Sequence, residues 1–139
     1  MKRAFFQAYV EDSESAVKFY EKAFGAKVTD PYPGDDGGYM HCELDVYGQT
    51  LAVADAKYVP DYSGTNPDAL AFYQNAQRQT GNAMQFCLHF DEAEKDRVLA
   101  IYEVLKEGGT TLFGPAATDY SVCVLDIIDK YGVRWCIMA

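Results

Sequence analysis

Tyr47-Gly48-Gln49-Thr50-Leu51-Ala52-Val53-Ala54 returns in outline as Tyr131-Gly132-Val133-Arg134-Trp135-Cys136-Ile137-Met138, 84 residues further on. Each stretch is a Tyr-Gly turn followed by an apolar run of strand length. Upstream, Phe19-Tyr20-Glu21 is echoed by Ile101-Tyr102-Glu103 at a spacing of 82, and Val10-Glu11-Asp12 by Phe90-Asp91-Glu92 at 80. Three echoes in one order, at nearly one spacing, point to two copies of one folding unit. A duplicated half-shell leaves a cleft between its copies, and that cleft is where function is expected.

The copies can be traced outward from these turns. Residues 4–10 alternate as a strand does. Asp12 or Ser13 can cap a helix running to Phe24, with Ala16, Val17, Phe19, Tyr20, Ala23 and Phe24 at helical spacing and Gly25 as its stop. Strands are expected over 27–31, 39–46 and 49–54, with a hairpin loop over 33–38 and a turn at Gly48. The second copy repeats the order: a strand over 83–90, a helix over 92–106 with Ala93, Val98, Leu99, Tyr102 and Leu105 as its apolar face, then strands over 110–113, 120–128 and 133–138. The reading is α+β, two βαβββ modules in a single domain of residues 1–139. The first module covers 1–55 and the second 83–139. Residues 56–82 match neither copy and read as a linker or lid with a short helix over 68–79.

Bulk properties narrow the function. A chain of 139 residues can bury a core without disulfides. A net charge of −9 repels phosphate backbones, so nucleic acid is not an expected partner. No window approaches the roughly 20 apolar residues that cross a membrane. Gln7 and Glu11 interrupt the basic-then-apolar start before a signal-peptide core can form, so a cytoplasmic protein is expected. Cys42, Cys87, Cys123 and Cys136 each sit in an apolar run with no Cys-x-x-Cys pair, and read as buried free thiols. Phosphate-binding glycine loops and the Gly-x-Ser-x-Gly elbow are missing.

Three motifs carry a family likeness. They are Ala16-Val17-Lys18-Phe19-Tyr20-Glu21-Lys22-Ala23-Phe24-Gly25-Ala26-Lys27-Val28, Met40-His41-Cys42-Glu43-Leu44, and Asp129-Lys130-Tyr131-Gly132-Val133-Arg134-Trp135. With them the chain resembles the vicinal oxygen chelate superfamily of glyoxalases, extradiol dioxygenases and bleomycin- or fosfomycin-resistance proteins, and within it the PhnB-like branch. The resemblance implies a glyoxalase/bleomycin-resistance-type fold whose curved mixed sheet encloses a cavity. It also implies a homodimer, and in many members a divalent metal held from the first and last strands of each module. Some members carry methyltransferase-like names, but nothing in the sequence resembles a nucleotide or S-adenosylmethionine pocket.

Counting from the strand ends places the implied metal-ligand positions on Phe5, Ala52, Gln85 and Cys136. Phenylalanine and alanine offer no donor atom, and two remaining donors fall short of the several a divalent ion needs. Period-2 alternation sorts the remaining residues. Phe6, Ala8 and Val10, then Met40, Cys42 and Leu44, and Phe86, Leu88 and Phe90 should pack under the helices. Phe5, Gln7, His41, Glu43, Gln85, His89, Arg134 and Cys136 should then share the cavity face. An apolar cavity with a few polar groups suits a small organic ligand.

Each polar candidate has a plainer alternative. His41 and Glu43 could bind metal or trade protons, or form a structural hydrogen bond. Arg134 could anchor a carboxylate or phosphate, or pair with Glu43 or Asp45. Cys136 is a nucleophile only beside a base, and otherwise a buried thiol. The tyrosines over 58–73 could close over a ligand or pack in a dimer. The leading expectation is a dimeric protein binding a small organic molecule, with no cofactor and without the usual metal. The alternative is a lyase, isomerase or dioxygenase with a divalent metal relocated to His41, Glu43 and His89. A third possibility is a cavity filled by the protein's own side chains, with a role in assembly.

Overall fold

The computed structural model describes residue 3, residues 5–58 and residues 84–139. In chain order these form β1 (Phe6–Val10), α1 (Ser13–Phe24), β2 (Lys27–Pro33), β3 (Tyr39–Val46) and β4 (Gln49–Asp55), closed by a 3-10 turn at Ala56–Tyr58. Then come β5 (Phe86–His89), a 3-10 turn at Glu92–Glu94 leading into α2 (Lys95–Leu105), β6 (Thr110–Thr118), β7 (Ser121–Ile128) and β8 (Arg134–Met138). The short helix expected over 68–79, and the tyrosines beyond Tyr58, lie outside the described residues.

The strands make two four-stranded mixed sheets of one topology, β1-β4-β3-β2 and β5-β8-β7-β6. In each, the first strand runs parallel to the last and the other pairs are antiparallel. The parallel pair follows from connectivity, because parallel neighbours need a long crossover and α1 and α2 lie within those crossovers. This is the α+β duplication that the Tyr-Gly repeats predict.

Both helices form for local reasons. The Asp12 carboxylate accepts the Ser15 amide at 3.0 Å and its hydroxyl at 2.7 Å, capping α1. Gly25 ends the helix at φ +62°, a left-handed conformation that glycine adopts without a Cβ penalty. Ala16, Val17, Phe19, Tyr20, Ala23 and Phe24 are all buried, so the predicted stripe is the observed one. In α2 the buried positions are Val98, Ile101 and Leu105. Ala93 is exposed, contrary to its predicted place. The chain is 3-10 at that point, so helical phase begins only at Lys95, and Ile101 fills the core instead.

Other boundaries shift. β5 starts at Phe86 rather than at 83, and β2 runs on to Pro33. β6 continues past Gly114 and Pro115 to Thr118, because register shifts at three places along the β6–β7 pair absorb the unpaired residues. Phe6 and Met40 are 53% and 54% exposed rather than buried. Phe6 begins an edge strand and meets Phe86 edge-on at 5.6 Å. Met40 lies beside the start of α1, where Ser13 meets the Tyr39 amide at 2.7 Å and the apolar stripe has not begun. Cys42, Leu44 and Val46 carry the core further along β3.

The copies share one core. Trp135 of β8 is fully buried against Tyr20, Phe24 and Phe86, with ring centroids 5.7, 4.6 and 5.3 Å away. Beneath it lies Asp129, also buried. Its Oδ2 accepts Tyr20 Oη–H at 2.9 Å and Trp135 Nε1–H at 2.8 Å, and its Oδ1 accepts the Tyr131 and Val133 amides at 2.9 and 3.1 Å. Burial pushes the Asp129 carboxyl up, and these four donors pull the other way. The Tyr-Gly turns then reach across. Tyr131 packs edge-on against Phe19 and Tyr20 of α1 at 5.4 and 6.0 Å. Tyr47 packs on Phe90 at 5.0 Å, with the Arg97 guanidinium of α2 over both rings.

Candidate functional site

The helix-distal face of the first sheet gathers three of the six predicted polar residues, Gln7, His41 and Glu43. Gln7 on β1 and Glu43 on β3 both have Ala52 on β4 as their cross-strand partner, so the three form one row. Ala52, between two long side chains, is fully buried. His41, two residues along β3, bridges that row. Its Nδ1 lies 3.1 Å from Gln7 Oε1 and its Nε2 3.0 Å from Glu43 Oε1. Both neighbours as placed are acceptors. An imidazolium satisfies both; turning the Gln7 amide end for end satisfies a neutral ring with Nε2–H on Glu43.

Arg3 completes the group. Nη1 donates to Glu43 Oε2 at 2.6 Å, and Nη2 donates to Oε1. This two-pronged pairing is the strong form of an arginine–carboxylate contact. The guanidinium also lies 4.9 Å from the Phe5 ring centre, and Phe5 meets His41 edge-on at 5.9 Å. Glu43 is 4% exposed, whereas Arg3 is 55% exposed. Hydrogen bonds from Arg3, then His41, hold the Glu43 carboxyl down to about 2. Arg3 was missed in the sequence, although residues 3, 5 and 7 share one face by simple alternation.

The second sheet repeats the geometry with different residues. Cys87 on β5, Cys136 on β8 and Asp126 on β7 form the matching row. Arg134 grips Asp126 with two donors, Nε at 2.9 Å and Nη2 at 2.6 Å. Its partner is therefore Asp126 and not Glu43 or Asp45. Arg134 lies two positions before Cys136, the cross-strand partner of Asp126, so the two side chains leave the same face one pleat apart. Gln85 and His89 are exposed. The Cys87 thiol donates to Gln85 Oε1 at 3.5 Å, and His89 lies across from Met138. The structure thus brings Phe5, Gln7, His41 and Glu43 together and places Gln85, His89, Arg134 and Cys136 on the other sheet. Tyr58 bonds to Asp36 and, at 3.1 Å, to the Gly37 carbonyl, so it packs on the β2–β3 hairpin loop.

The donors do not suit the divalent metal the fold implies. Across from Ala52 stands Gln7 rather than Phe5, and across from Cys136 stands Cys87 rather than Gln85. Both Glu43 oxygens and both His41 nitrogens are already engaged. Among the described residues no three His, Cys, Asp or Glu side chains come together as a metal would require.

Residues 4–137 match the model of the Glyoxalase/Bleomycin resistance protein/Dioxygenase superfamily. The chain belongs to that superfamily. Among solved structures it is similar to a PhnB protein from Bacillus cereus, at 19% identity and a TM-score of 0.74, over 99% of this chain and 98% of that one. It is also similar to the fosfomycin resistance protein FosX from Listeria monocytogenes, at 12% identity and a TM-score of 0.63, over 99% and 89% of the two chains. Another FosX structure, of a variant, holds Mn(II) and a dihydroxypropylphosphonic acid. TioX from Micromonospora is similar at 14% identity and a TM-score of 0.63, over 98% and 97%. At these identities the superfamily's glyoxalase-type fold is shared. No functionally curated protein matches the sequence.

Proposed function

We propose that this superfamily member binds a small organic molecule on the helix-distal face of its sheets, without the divalent metal used by many of its relatives. The supporting observation is the state of Glu43. Its carboxylate is ionised, nearly inaccessible, and gripped on both oxygens by the Arg3 guanidinium. A cation of the chain itself stands where a metal would have to bind. Phe5 and His41 add an aromatic wall, and Gln7 a polar edge, the mix of apolar surface and a few placed polar groups that suits small ligands. Exposed Phe6, Tyr32, Met40, Leu112 and Phe113 supply apolar surface for a homodimer contact, and a cytoplasmic location fits the reading.

The competing reading is a lyase, isomerase or dioxygenase with a metal at His41, Glu43 and His89, although His89 lies on the second sheet across from Met138. The contact between His41 and Glu43 favours it. Elemental analysis of purified protein separates the readings. Substoichiometric divalent metal, unchanged in His41→Ala, supports the first. One tightly bound metal per chain, lost in His41→Ala, reverses the ranking. A thermal-shift screen of aromatic and glycopeptide ligands then tests binding, and a hit should weaken in Phe5→Ala.

A further inference from the structure

Two thiols stand side by side on the helix-distal face of the second sheet. Cys87 and Cys136 are direct partners across the parallel β5–β8 pair. Their side chains leave the sheet on one face, while Leu88 and Ile137, the next residues along, are buried on the other. Neighbouring strands lie about 4.8 Å apart, inside the roughly 4.4–6.8 Å between Cα atoms that a disulfide spans. Cys87 is exposed and Cys136 half-buried, whereas Cys42 and Cys123 are buried in β3 and β7. Burial, then the charge and hydrogen bonding of Cys87, push the Cys136 thiol up. Phe5, His41 and Gln7, on which the proposed ligand binding rests, all belong to the first module.

We propose that Cys87 and Cys136 form a dithiol site that a low-molecular-weight disulfide, R–S–S–R, oxidises to an internal Cys87–Cys136 bond. Exposed Cys87 is the sulfur such a reagent reaches first. Its thiolate attacks one sulfur of R–S–S–R, forming Cys87–S–S–R and releasing RS⁻. Cys136 then gives up its proton, to water or to the released thiolate. Its sulfur attacks the Cys87 sulfur, closing the internal bond and releasing the second RS⁻. Two electrons pass from the two cysteines to the small disulfide, which leaves as two thiols. The bond would tie β5 to β8 across the row that matches Gln7, Ala52 and Glu43 in the first sheet. The site is independent of the ligand proposed there.

The test treats the native chain with oxidised glutathione and follows it by intact mass and peptide mapping. The expected product retains no glutathione, has lost two hydrogens, and yields a linked Cys87–Cys136 peptide pair. Cys136→Ser should stop at a glutathione adduct on Cys87. Cys87→Ser should react roughly tenfold more slowly or less, because the remaining thiol is half-buried and holds its proton. Trp135 fluorescence of each variant confirms a native core before oxidation. A persistent glutathione adduct on the unmodified sequence, a Cys87–Cys87 bond between chains, or linkage to Cys42 or Cys123 would overturn the proposal.

Discussion

Replacing Asp129 by alanine tests how the two copies are joined. The substitution removes the shared acceptor of Tyr20 Oη–H from the first copy and Trp135 Nε1–H from the second. Both donors belong to fully buried side chains. An orphaned buried donor costs about 1–3 kcal/mol, so the pair sets a range of about 2–6 kcal/mol. The Tyr131 and Val133 amides lie in a half-buried turn and can turn to water. One effect works against the loss: burial already disfavours the ionised Asp129 carboxylate, and alanine relieves that cost. The net expectation is the lower half of the range, about 3 kcal/mol, or a fall in melting temperature of roughly 10 °C for a chain of this size. Trp135 is the only tryptophan, so urea unfolding followed by its fluorescence reads the site directly. Tyr20→Phe alone should cost about 1 kcal/mol. In the double variant the two losses should fall short of additivity, because they share one hydrogen bond. A loss under about 1 kcal/mol for Asp129→Ala, or strict additivity, would refute Asp129 as the shared acceptor.

Two further outcomes are expected. Glu43 has a folded-state pKa of about 2 against an ordinary 4.5; a depressed carboxyl stabilises fully above its unfolded pKa and loses that contribution as pH falls to its folded one. Acid unfolding should therefore steepen between those two values, and Arg3→Ala, which removes the leading cause, should flatten that part of the curve in a pH series of denaturant midpoints. Gly38→Ala should cost about 1–3 kcal/mol, since Gly38 has φ +74° and an added Cβ would stand 2.8 Å from Asp55 Oδ2 and 2.9 Å from Ser13 Oγ; calorimetry of the variant checks it.

What the sequence shows is the part set by local periodicity. The α1 stripe from Ala16 to Phe24, its Asp12 cap and its Gly25 stop are all local signals, and all are present in the structure. Alternation sends Trp135 and Ile137 inward and leaves Cys136 on the other face. The misread residues depend on neighbours remote in the chain. Met40 is exposed because of where α1 begins, not because of its own strand. Arg134 pairs with Asp126 because β7 lies beside β8, and only pairing reveals which acid is near. Counting from strand ends says nothing of which residue stands beside Ala52; register shows that it is Gln7. A parallel pair has no hairpin turn to fix that offset.

The reciprocal reach of Tyr47 and Tyr131 makes the joint between the copies resemble the self-complementary contact of a two-fold dimer. Each copy offers the other a turn and accepts one in return. The aromatic clasp and the buried Asp129 bridge supply the contact itself. A shift of one sheet would therefore pull on Phe19, Tyr20, Phe90 and Arg97 together.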